Sequence, residues 1–139
     1  METFELKEDI KIICNQAKTF PEGIKEAFDT LQQSLPDCEK RTWYGLSSPN
    51  EKGVVIYKAA VTELTDEEAE KFGFKPFTIT KGIYISKTIS DWMKNPQVIG
   101  DTFMELLEHP DIAPDGYCLE WYKNDTDVQC MVRLNQANK

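Results

Sequence analysis

The sequence contains a single histidine, His109, and no pair of cysteines in CxxC spacing. Structural zinc needs closely spaced cysteine and histidine ligands, and nucleophilic devices of the Ser-His-Asp or Cys-His kind need a positioned imidazole. His109 sits in "EHPD" at the end of an apolar helical stripe, where a cation complements the helix dipole. Neither chemistry is indicated. GxGxxG and GxxxxGK are also missing, so no nucleotide loop is expected. Apolar runs extend over only a few residues, too short for a membrane span. The opening "METFELKEDI" lacks the basic-then-apolar order of a secretory signal. Basic residues are scarce, with 16 Lys and Arg against 24 Asp and Glu and a net charge of −8. That balance repels phosphate backbones and argues against direct nucleic-acid binding.

Cys14, Cys38, Cys118 and Cys130 are widely scattered. Three of them stand in strand-like apolar context, which suits buried reduced thiols in a cytoplasmic protein. The acids of "TDEEAE" (65–70) lack the alternating ligand spacing of a calcium loop and read as a solvated helix start. No metal and no cofactor is expected.

What is present is an ordinary globular balance over 139 residues, 40% hydrophobic and 29% charged. This predicts one domain, 1–139, able to bury about two-thirds of its unfolded surface. "IKIICNQAKT" (10–19) reads as a strand. Pro21 suits a first helical turn, and Ile24, Ala27, Phe28, Leu31 and Leu35 then form one apolar helical stripe. "KRTWYGLSS" (40–48) and "GVVIYKAAVTEL" (53–64) read as a hairpin around "SPNEKG". A short helix over 65–73 follows, then a long strand over 74–89. A helix is predicted from about 96 to 108, and strands at 117–124 and 127–134 form a second hairpin. The C-terminal "NQANK" is expected to fray.

The order strand, helix, strand, strand thus occurs twice, over about 8–64 and about 74–134. Two such units make an α+β fold: one antiparallel sheet, helices on one face, and a cleft on the other. Within "GYCLEWYKND" (116–125), Glu120 interrupts an otherwise apolar strand. Alternation puts it on one face with Cys118 and Tyr122, and Leu119 and Trp121 on the other. Leu119 and Trp121 read as the core side beneath the helices, which leaves Glu120 and Tyr122 on the helix-free face. Tyr44, Tyr57 and Tyr84 lie on other strands whose registers one sequence does not set. A carboxylate among aromatic rings makes an anionic floor suited to apolar cations. The alternatives are that Glu120 is solvated or pairs with Lys58, Lys81 or Arg133, or that the open face docks another protein.

The pieces "TWYGLS" with "GVVIYKAAV", "FTITKGIYISKTISDWMKN", "IGDTFMELLEHPDIAPDGYCLEWYKND" and "VQCMVRL", in that order, resemble the GyrI-like domain, the effector-binding domain of AraC-type regulators. The resemblance spans about residues 8 to 134. It implies a receptor for hydrophobic, cationic small molecules in a cleft between the repeats. Glu120 in "CLEWY" matches the acid at the cleft centre. Trp43 or Tyr44, and Tyr84, match surrounding aromatic positions; Tyr122 joins Glu120 by alternation, and Trp92, after the fourth strand, either packs the start of the helix or covers the cleft. Many relatives carry a DNA-binding domain in front; here a strand begins within ten residues of Met1, so a stand-alone sensor or sequestering protein is expected. Some stand-alone members resemble hydrolases of small acyl compounds. For that alternative, Glu120 serves as general base and Tyr84 as oxyanion donor.

Overall fold

The computed structural model describes residues 2–114 and 116–135. Its strands are β1 (Glu2–Leu6), β2 (Ile10–Gln16), β3 (Trp43–Pro49), β4 (Val55–Thr62), β5 (Lys75–Ile79), β6 (Gly82–Ile89), β7 (Cys118–Tyr122) and β8 (Val128–Arg133). The helices are α1 (Ile24–Ser34), α2 (Glu68–Lys71) and α3 (Gln97–Leu106). The order β2-α1-β3-β4 recurs as β6-α3-β7-β8. All strands join one antiparallel sheet in the order β1-β6-β8-β7-β3-β4-β2-β5, so β3 and β7 meet at the centre and join the two halves. The fold is α+β, as expected.

Each long helix covers its own half of the sheet. The α1 stripe buries Ala27, Leu31 and Leu35 against Ile13, Tyr57, Ala59 and Val61. Phe103 and Leu106 of α3 pack on Ile85, Val128, Cys130 and Val132. The opposite face is not open. The sheet curls, and its concave side closes on itself around Ile12, Tyr44, Leu46, Ile79, Tyr84, Leu119 and Met131. Phe4 of edge strand β1 and Phe77 of edge strand β5 both pack on this cluster, and Phe77 meets Tyr117 edge-on at 5.4 Å.

Several boundaries differ from the sequence reading. β1 was not anticipated, because "ETFEL" is acidic; it pairs with β6, and its apolar Phe4 and Leu6 face the concave core. The strand read over 74–89 is two, separated at Thr80 and Lys81. Lys81 N–H donates there to Asp9. α1 starts at Ile24, not at Pro21. Of the C-terminal segment expected to fray, all but Asn135 lies outside the described residues.

The acids at 65–70 are not simply solvated. Glu68 is buried and takes a two-pronged hydrogen bond from Arg41, at 2.7 and 2.6 Å. Arg41 also donates to the carbonyls of Pro36 and Thr62, and Leu64 N–H donates to Glu68. This pair ties the segment before β3 to the end of β4 and to α2.

Candidate functional site

Register decides which way Glu120 points. Glu120 stands opposite Gly45 on β3 and Cys130 on β8. Gly45 stands opposite Ala59 on β4, which packs beneath α1. Glu120, Tyr122 and Trp43 therefore share the helix-bearing face. The facing read from sequence is inverted: Leu119 and Trp121 belong to the concave core, and Glu120 lies on the helix-bearing face, between the cluster beneath α1 and the cluster beneath α3. Alternation establishes which residues share a face but not which face the helices cover. Both faces of β7 are apolar enough to be buried.

Glu120 is 7% exposed. The Tyr57 hydroxyl donates to its Oε1 at 2.7 Å, and the Tyr122 hydroxyl donates to the same oxygen. Tyr57 reaches it across an intervening strand by passing over Gly45. A Cβ at Gly45 would overlap the Tyr57 hydroxyl and lie 2.5 Å from Glu120 Oε1. The two hairpins also explain why one half supplies the acid and the other a phenol. Ser47 pairs with Tyr57 as Glu120 pairs with Cys130, at the same sequence separation. The repeats thus place different side chains at equivalent positions, and the site is asymmetric.

Aromatic rings roof the carboxyl. Phe28 of α1 lies 5.8 Å from Trp43, 6.3 Å from Tyr57 and 6.1 Å from Tyr122, centroid to centroid. Trp92, in a single helical turn after β6, packs 5.4 Å from Tyr122. Phe20 stacks on Tyr57 at 5.9 Å from the outside. One half of the molecule contributes Phe20, Phe28, Trp43 and Tyr57, and the other contributes Trp92, Glu120 and Tyr122.

Burial pushes the Glu120 carboxyl above its ordinary range, while the hydrogen bonds from Tyr122 and Tyr57 pull the other way. Burial and the nearby carboxylate push both phenols up, so they remain donors. Among the described residues no lysine or arginine pairs with Glu120; the ion pairs are Lys18–Glu26, Arg41–Glu68 and Lys87–Glu105. Lys58, one conceivable partner, sits over the Phe77 ring on the concave side. Burial also raises the flanking thiols, Cys118 to about 11 and Cys130 to about 12, which keeps them protonated and poor nucleophiles. His109 Nδ1 accepts from the Asp111 N–H and serves a turn.

Of the residues singled out from sequence, Glu120, Tyr122, Trp43 and Trp92 come together. Tyr44 and Tyr84 do not. Tyr44 stacks on Trp121 at 6.5 Å in the concave core. Tyr84 is fully buried there, and its hydroxyl donates to the Thr80 carbonyl at 2.6 Å. A hydrolytic role for Tyr84 beside Glu120 is excluded by the sheet that separates them. Three residues were missed: Tyr57, Phe28 and Gly45. The alternation of Val55, Tyr57, Ala59 and Val61 was visible, but not its phase relative to Glu120. Phe28 read only as part of an apolar stripe.

No protein-family model matches this sequence, and no curated protein matches it. The fold itself recurs among solved structures. An integron cassette protein from the mobile metagenome of Vibrio cholerae superposes with a TM-score of 0.71 at 15% identity, over 96% of this chain and 95% of that one. The protein SAV2435, solved bound to tetraphenylphosphonium, superposes with a TM-score of 0.66 at 12% identity, over 97% and 93%. A Staphylococcus aureus protein described as a bacterial transcription regulation protein gives 0.56 at 11%, over 95% and 97%. At these identities the likeness is one of fold, and it is consistent with a GyrI-like architecture.

Proposed function

We propose that this chain binds hydrophobic, positively charged small molecules in the furrow between its two halves, as a sensor or sequestering protein. The observation that carries this reading is a buried carboxyl roofed by Phe28, Trp43, Tyr122 and Trp92, with no basic partner among the described residues. Burying an unpaired carboxylate costs several kcal/mol, and a ligand cation offsets that cost at the place where it arises. The ring faces add cation–π attraction of about 0.5–2 kcal/mol. The neighbour solved with tetraphenylphosphonium supports the ligand class at the level of fold.

Because Glu120 is covered, a ligand enters by displacing Phe28 of α1 or Trp92, both half-buried. The test is calorimetry with tetraphenylphosphonium and a panel of cationic dyes on the wild type and on Glu120→Gln. Glutamine keeps an acceptor for both phenols and removes the charge. The fold is expected to persist and cation affinity to fall at least about tenfold, more than an exposed ion pair provides. Equal affinities in the two proteins would remove Glu120 from the site.

A further inference from the structure

A groove of about 250 Å³ lies outside the aromatic roof, lined by Gln16, Ala17, Lys18, Thr19, Phe20, Val54, Val55 and Ile56. It does not include Glu120. Three large apolar side chains converge on it and stay unusually wet: Phe20 at 45% exposure, Val54 at 56% and Val55 at 39%. None belongs to a core cluster, although Phe20 stacks on Tyr57 of the cluster beneath α1. The groove adjoins the site, because the Phe20 ring that walls it stacks on Tyr57, whose hydroxyl holds Glu120.

We propose that this groove is an outer subsite that takes an uncharged aromatic group, with Phe20 as the residue that sets its fit. The inference rests on the small-molecule reading above and deepens it: the same ligand would place its charge beside Glu120 and an aryl arm against Phe20 and Val54. The chemistry of the lining selects such a group. No carboxylate lines the groove, its one charged lining residue, Lys18, pairs with Glu26, and Phe20, Val54 and Val55 leave apolar surface exposed to water. The volume is small for a drug-sized ligand and suits one or two rings. Phe20 is the lining residue that touches the site, through its stack on Tyr57.

The neutral fluorescent probe N-phenyl-1-naphthylamine tests the groove through Val54, which lines it and does not touch Glu120, while the probe carries no charge for Glu120 to attract. The wild type is expected to bind it with enhanced fluorescence. Val54→Asp, which puts a charge on an exposed position of the lining, is expected to weaken it about tenfold. Phe20→Ala is expected to weaken it as well. A wild type that leaves the probe dark, or a Val54→Asp protein that binds it as tightly, overturns the subsite. The cation titration of Glu120→Gln reports on the inner site independently, so either reading can fail while the other stands.

Discussion

Gly45 has no side chain, and the site depends on that. The Tyr57 hydroxyl and Glu120 Oε1 meet directly above its Cα, in the space a Cβ would occupy. The residue lies within β3, where any amino acid satisfies the backbone, so the requirement is one of close approach. Gly45→Ala would force Tyr57 away, leave the buried carboxyl with a single phenol, and crowd a packed layer. Overpacking costs about 1–3 kcal/mol, and an acceptor left short of a partner costs a comparable amount. A loss of about 3 kcal/mol is expected in urea unfolding, although alanine is the better residue for an ordinary strand. A change within about 0.5 kcal/mol, typical of a neutral surface substitution, would show that Tyr57 does not need this space. The same residue illustrates where sequence reading stops. Glycine in "TWYGLSS" looks like a weak point in a strand; only the register against Glu120 and Tyr57 gives it a purpose.

At the scale of elements, order and type were legible, and facing was not. Turn chemistry and period-two alternation marked the hairpins β3–β4 and β7–β8, and the 3-4 stripe marked α1. The helix-bearing face could not be read because the concave face is as apolar as the one under the helices: Leu119 and Trp121 pack there as firmly as Glu120 and Tyr122 do on the other side. The Arg41–Glu68 pair was hidden for a related reason, since two charged residues far apart in sequence carry no pattern until the chain folds. That pair supports a prediction of its own. Arg41 is buried and its guanidinium is held by Glu68 and two carbonyls. Glu68→Ala strands that charge, and removing one partner of a buried pair costs about 3–5 kcal/mol. Chemical denaturation should show a loss of that size, far above the value for the exposed Lys18–Glu26 pair. A loss under about 1 kcal/mol would mean that water reaches Arg41 easily.

At the scale of the molecule, the two acids buried among the described residues push stability in opposite directions with pH. Glu68 is held down to about 2, chiefly by its hydrogen bond from Arg41. Its contribution is present above the unfolded carboxyl value of about 4.3 and is lost as pH falls towards 2. Glu120 is shifted the other way, chiefly by burial. The folded state holds that proton more tightly than the unfolded chain does. Its contribution is therefore complete below about 4.3 and declines as pH rises through the raised folded value. Binding of the proposed cation would reverse the second effect, because a cation favours the ionised carboxyl that the empty protein disfavours. Melting temperatures measured from about pH 5 to about pH 8, with and without tetraphenylphosphonium, should diverge as pH rises: the free protein loses stability while the gain from ligand grows. Glu120→Gln should flatten both trends, since its amide does not titrate. If the wild type and Glu120→Gln give the same ligand-induced shift at every pH, the bound cation does not sense the charge at Glu120. The furrow would then act as an apolar shelter alone, indifferent to whether its guest is charged.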